Sequence, residues 1–159
     1  SMSVLTDQMR AAIREELGKY PDKQAATLPA LHITQDALRH VPLEAIREIA
    51  EMLDLHPAQV HDTMSFYGFF RDEKQPLGKH RVWVCRSLSC MLCGSETLLV
   101  ELCRRLGVQP GGTTADGKFT LEPAECLGVC EGGPCMLVDD ECYGNLTAER
   151  ALEILSELE

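Results

Sequence analysis

The sequence predicts an α/β protein: an N-terminal helical bundle over residues 3–75, then an α/β domain with a small mixed sheet over residues 80–159. Three observations carry this reading. Apolar residues recur at helical spacing as far as residue 70, and the pattern changes to strand-like alternation at HRVWVC, residues 80–85. The polar segment RDEKQPLGKH, residues 71–80, contains Pro76 and Gly78 and reads as a linker between the two patterns. All eight cysteines lie between Cys85 and Cys142, whereas all five histidines lie before Cys85.

In the first half, Leu5, Met9, Ala12, Ile13 and Leu17 form an apolar stripe that stops at Gly18, with Tyr20-Pro21 beyond it. Ser1-Met2 read as a cloning remnant ahead of a native start and take no part in the fold reading. Residues 29–40 are expected to form a short helix. Pro42 suits a first helical position, and Leu43, Ile46, Ala50 and Leu53 continue one face. Pro57 opens another helix, with Val60, Met64 and Tyr67 at helical spacing. The aromatic run SFYGFF, residues 65–70, is expected to pack between short helices, with a docking surface as the alternative.

In the second half, residues 81–85 are expected to form a strand. Residues 94–106 follow as a helix, with Leu98, Leu99, Leu102 and Leu106 on one side and Gly107 as its stop. Residues 109–116 read as a loop and 118–122 as a strand. Met136 to Val138 and Glu141 to Tyr143 flank Asp139-Asp140, a hairpin signal. Thr147 is the expected N-cap of a last helix that buries Ala151, Ile154, Leu155 and Leu158. The order strand, helix, strand, hairpin, helix fits a small domain of thioredoxin type.

Composition narrows the function. The formal net charge is −10, a sign that repels phosphate backbones and anionic bilayers, so neither nucleic-acid binding nor direct membrane insertion is expected. No apolar run approaches the ~18–20 residues of a membrane span, and the start lacks a signal-peptide core. A cytoplasmic location follows as the expectation, either alone or facing the cytoplasm within a larger assembly. In a reducing compartment eight cysteines point to metal or redox chemistry rather than a disulfide framework. With every histidine upstream, a site inside the cysteine-rich half uses thiolates, unless His80 or another first-half residue folds over it.

Cys85 and Cys90 are separated by four residues, and Cys126 and Cys130 by three. Both pairs are expected in loops after strands, where thiolates from two segments can converge. Four thiolates suit a [2Fe–2S] centre. Its negative charge calls for N–H groups aimed at the sulfurs, for the positive end of the helix expected at Gly94, and for glycines such as Gly128, Gly132 and Gly133 that permit close backbone approach. Rival readings use the same thiols. Cys85, Cys90 and Cys93 have the C-x4-C-x2-C spacing of plant-type ferredoxins. Cys90 and Cys93 could serve as a thioredoxin-like dithiol, with Pro134 at a position where such folds carry a structural proline. Cys90, Cys93, Cys126 and Cys130 could close a structural zinc site. Cysteine spacing alone leaves these open. Cys103 and Cys142 are expected to be packing residues.

The whole pattern resembles a known family. C-x4-C, a gap of 35 residues and CLGVC are similar to the NuoE-like [2Fe–2S] subunit of respiratory NADH:quinone oxidoreductase, complex I. YPDKQAATLPALHITQ, PLEAIREIAEMLDLHPAQVHDTMSFYGFF, LGKHRVWVC and YGNLT extend the resemblance over nearly the whole chain. It implies a thioredoxin-like domain with one [2Fe–2S] cluster after a helical domain, and the ligands Cys85, Cys90, Cys126 and Cys130. It implies single-electron exchange with a flavoprotein subunit that alone carries FMN and NADH, at the cytoplasmic face of the inner membrane. It also raises the docking reading of SFYGFF. Related subunits serve NAD-linked formate dehydrogenases and hydrogenases as diaphorase components, and a homodimer of the isolated chain is left open. No catalytic acid, base or nucleophile is expected. Cys93, Cys135 and Glu131 depart from the family pattern. Cys93 and Cys135 are expected as spare thiols near the site, able to swap in as ligands or to suffer oxidation, and Glu131 beside Cys130 is expected to lower the cluster potential.

Overall fold

The structure is a computed structural model that describes residues 3–158. Ser1 and Met2, read above as a remnant, lie outside the described residues. The chain divides into two compact units between Pro76 and Leu77.

The first unit is helical. Helix α1 (Asp7–Leu17) starts at Thr6, whose side chain accepts from the Met9 N–H, a cap worth ~1 kcal/mol. The segment before it is tied to helix α3 (Leu43–Leu53) by Glu48. That carboxylate accepts from the N–H of Val4 (2.7 Å) and of Leu5 (3.3 Å) and pairs with Arg10. Helix α2 runs over Thr27–Leu38 and thus begins before Pro29, the expected start. A 3-10 turn over Lys23–Ala26 leads into it, so Pro29 falls within the first turn, where no amide partner is required of it. Pro42 is the N-cap of α3 rather than its first helical residue, with an extended ψ of 157°, and Leu43 is exposed. Helix α4 (Pro57–Phe66) opens with a capping box between His56 and Gln59. Ile13, Leu31, Ile49, Leu53 and Val60 are fully buried together. In SFYGFF, Phe70 is buried and Tyr67 and Phe69 pack against this core, with His32 stacked on Phe69. Phe66 is 80% exposed.

The second unit has four strands: β1 (His80–Cys85), β2 (Phe119–Ala124), β3 (Met136–Val138) and β4 (Glu141–Tyr143). Their order is β2-β1-β3-β4. β1 pairs in parallel with β2 and antiparallel with β3, and β3 pairs antiparallel with β4. This is the small mixed sheet the sequence predicts. Helices α6 (Ser95–Leu106) and α7 (Ala148–Ser156) contribute Leu98, Leu102, Ala151 and Leu155 to a core with Val82, Val84, Leu121 and Met136. Thr147 caps α7 by accepting from the Arg150 N–H, as expected. Gly107, at φ 65°, ends α6 in the left-handed region that favours glycine. Asp139, in the hairpin, accepts from the Arg81 N–H and pairs with the His80 ring.

The outer edge of β2 is covered by residues 111–114. Gly111 N–H donates to the Leu121 carbonyl (2.7 Å), Leu121 N–H to the Gly112 carbonyl (3.0 Å) and Thr114 N–H to the Phe119 carbonyl (2.8 Å). Two expectations need correction. Cys90 lies in a short helix, α5 (Leu88–Leu92), rather than in a loop, because extended backbone at Ser87 starts one helical turn before Gly94. Cys142 is exposed rather than packed. It sits on edge strand β4, where its neighbour Tyr143 takes the core-facing side of the alternation.

Candidate metal centre

β1 ends at Cys85, so the strand delivers this thiol to the carboxyl edge of the sheet. The antiparallel register Val82↔Val138, Trp83↔Leu137, Val84↔Met136 continues by one step to set Cys135 opposite Cys85. The Cys85 N–H donates to the Cys135 carbonyl at 3.1 Å. Helix α5 brings Cys90 to the same place. Gly133 lies alongside, where a Cβ would stand at contact distance, 3.4 Å, from both Cα and Sγ of Cys90. The result is a buried triangle. Cys85, Cys90 and Cys135 have their sulfurs within 4.8 Å of one another, with Cys90 Sγ and Cys135 Sγ 3.6 Å apart.

The three thiols of the triangle differ in how well their surroundings receive negative charge. Burial pushes the Cys85 thiol up, but N–H groups of Leu127 and Ser87 aimed at its sulfur, together with the Cys90 and Cys135 thiols, outweigh this and hold it below the ordinary cysteine value. Burial, with Cys85 as a neighbour, pushes the Cys90 thiol up despite an N–H from Cys135. Cys135 is pushed up further, by burial first and by Cys90 next. Amides from two separate loops already face the sulfurs, which is the donor set an anionic iron–sulfur centre requires.

The loop after β2 carries the other expected pair. Residues 126–130 alternate: Leu127 and Val129 pack onto the buried thiols, while Cys126 and Cys130 are exposed. The Gly128 N–H lies 3.4 Å from Cys126 Sγ. Of the four expected ligands, then, Cys85 and Cys90 are brought together, and Cys126 and Cys130 lie on the outer side of the adjoining loop. The residues fit a [2Fe–2S] group in their chemistry, with two buried thiols in place, two more one residue away from side chains that touch them, and amide donors between. Cys93 caps α5, is exposed and stands outside the triangle. Among the described residues the thiols gathered within 4.8 Å do not include the zinc set of Cys90, Cys93, Cys126 and Cys130. Cys103 is buried on α6, as expected.

Sequence reasoning marked Cys135 as a spare thiol able to swap in as a ligand, not as a member of the buried group. The signal for its placement is the strand pairing, with Pro134-Cys135 entering β3 as Val84-Cys85 leaves β1. The amide donors of Ser87 and Leu127 carry no sequence signal, since any residue supplies an N–H.

Comparison with known proteins agrees with the geometry. Residues 13–159 match the thioredoxin-like [2Fe–2S] ferredoxin family. The chain is 43% identical over 142 residues to a NuoE-type subunit of NADH-quinone oxidoreductase from Rhizobium meliloti, covering 89% of this chain and 83% of that one. It is 39% identical over 147 residues to the corresponding NADH-quinone oxidoreductase subunit of Escherichia coli K12, covering 92% and 87%. Among solved structures, an NAD+-reducing [NiFe]-hydrogenase in the H2-reduced state aligns with a TM-score of 0.70 and 25% identity. That alignment covers 82% of this chain but 22% of the hydrogenase chain. The chain belongs to the thioredoxin-like [2Fe–2S] ferredoxin family, as a relative of the NuoE-type subunits of NADH-quinone oxidoreductase.

Proposed function

We propose that this chain is an electron-transfer subunit that holds one [2Fe–2S] cluster on Cys85, Cys90, Cys126 and Cys130. It exchanges single electrons with an FMN- and NADH-binding flavoprotein subunit of an NADH dehydrogenase complex. The observation that carries the reading is the buried Cys85–Cys90 pair, with the Ser87 and Leu127 amides on the Cys85 sulfur, in a chain of this family. The bound cluster supplies one-electron oxidation and reduction, while hydride chemistry stays on the partner's flavin.

The chain's own residues set the conditions for that exchange. Cys85 and Cys90 anchor the site from the sheet end and from α5, and Leu127 and Val129 exclude water above it. The Ser87, Leu127 and Cys135 amides offset thiolate charge. Residues 80–159 form the cluster domain and residues 3–75 the helical domain, whose exposed Phe66 offers an apolar contact to the flavoprotein. No helix among the described residues is long and apolar enough to cross a membrane. The proposed place is at the cytoplasmic face of the inner membrane, held there by the complex. The hydrogenase likeness supports a second host, in which the same site serves an NAD-linked hydrogenase.

The test is anaerobic purification followed by iron and sulfide analysis. Two irons and two labile sulfides per chain, with a paramagnetic signal after one-electron reduction, are expected. The signal should be lost or altered in Cys85→Ser, Cys90→Ser, Cys126→Ser and Cys130→Ser. A colourless chain that takes up neither iron nor sulfide on reconstitution overturns the reading.

A further inference from the structure

The buried triangle shares Cys85 and Cys90 with the four-thiol set and has Cys135 in place of Cys126 and Cys130, and that difference has chemical content. We propose that Cys85, Cys90 and Cys135 form a site for a single thiophilic d10 cation, of which zinc is the type, in the chain that carries no cluster. Thiolates on one tetrahedral zinc have Zn–S bonds of ~2.3 Å, which sets neighbouring sulfurs ~3.8 Å apart. Cys90 and Cys135 stand at 3.6 Å, and all three sulfurs fit within 4.8 Å. A small contraction about Cys85 completes three corners of a tetrahedron. One cation on the triangle needs neither Cys126 nor Cys130, both of which are exposed.

Soft thiolates in a water-poor pocket select such an ion over hard divalent cations. Leu127 and Val129 cover the site, and the amides of Ser87, Leu127 and Cys135 aim at the sulfurs as supporting donors. On binding, three Zn–S bonds form, the thiol protons leave to solvent and no electron moves. The fourth position is left to water. Because Cys85 and Cys90 belong to both sets, one chain cannot hold the ion and the cluster together. Zinc on the triangle thus competes with cluster assembly.

The experiment uses the full chain, purified anaerobically and freed of iron. Cobalt is titrated in for its thiolate charge-transfer band and is then displaced by zinc. One equivalent per chain is expected. Cys135→Ala and Cys135→Ser should weaken the apparent affinity about 100-fold, roughly one ligand's share of a structural zinc site. Far-UV circular dichroism selects the variant that keeps the native fold. The double variant Cys126→Ala, Cys130→Ala should bind within about threefold of the unsubstituted chain, since it keeps all three ligands. X-ray absorption on the unsubstituted zinc-bound chain should count three sulfurs and one lighter atom, a readout that needs no variant.

Four sulfurs, binding that survives the loss of Cys135, binding lost in the double variant, or no uptake at one equivalent would each overturn the proposal. Its outcome is separate from the cluster reading, which is decided by iron and sulfide in the untreated chain.

Discussion

Trp83 and Glu122 face each other across β1 and β2, and the indole N–H donates to the carboxylate at 2.8 Å. Arg81 donates to the same oxygen at 2.6 Å, and its guanidinium lies 4.5 Å from the Trp83 ring centre. Glu122 is 7% exposed, so this carboxylate depends on both donors. Glu122→Ala removes the acceptor that the Trp83 indole and the partly buried Arg81 guanidinium share. The expected loss is about 1–3 kcal/mol of stability. Trp83 is the single tryptophan of the chain, so its fluorescence during urea unfolding reads this second unit directly.

Glu48 gives the first unit an acid-sensitive tie. Burial acts to raise its pKa, but the N–H groups of Val4 and Leu5, the Ser3 hydroxyl and Arg10 outweigh burial and hold it below the ordinary glutamate value. A carboxyl depressed in the folded state contributes its full stability above the unfolded pKa and loses it as pH falls through the folded one. Unfolding midpoints followed by circular dichroism should therefore decline below about pH 4–5 in the parent chain. Glu48→Gln should lower stability by about 1–3 kcal/mol at neutral pH and show a shallower acid decline. Equal slopes for the two proteins would remove Glu48 from the account.

Gly144 lies against the turn that holds Cys130. A Cβ there would stand 2.8 Å from the Gly132 carbonyl oxygen, which already accepts from the Asn145 N–H at 2.6 Å. Backbone on both sides leaves little room to yield. Gly144→Ala should cost about 1–3 kcal/mol, the range of overpacking. Iron should also leave that variant faster on chelation. Calorimetry and the decay of visible absorbance check the two effects.

Cys93→Ser should leave the cluster assembled, because Cys93 is exposed at the end of α5 and is not one of the gathered sulfurs. Unchanged iron content and visible spectrum are expected. Loss of colour would instead assign the C-x4-C-x2-C set. Iron-free protein should fail to reduce insulin, a reaction the dithiol alternative requires.

The periodic elements were readable in the sequence because their cause is local. The stripe of α1, the alternation of β1, the Gly107 stop and the Thr147 cap each follow from residues near at hand. Helix α5 was not readable, since five residues leave no period. Burial of Cys135 was not readable because it follows from the pairing of β1 with β3, whose partner residues lie 52 to 56 positions apart. The outward side of Cys126 and Cys130 is decided by Leu127 and Val129 taking the inward one, a packing competition that spacing does not record. The motif thus identified the chemistry, and the three-dimensional pairing identified a fifth thiol beside it.

The cover over the outer row of β2 bears on how this protein meets copies of itself. Residues 111–114 take up main-chain groups of that strand, and Pro123 has no amide hydrogen to offer. An incoming chain finds no template there for sheet extension. Self-association on that flank has to run through side-chain surfaces, which charge substitutions can tune without disturbing the strand beneath.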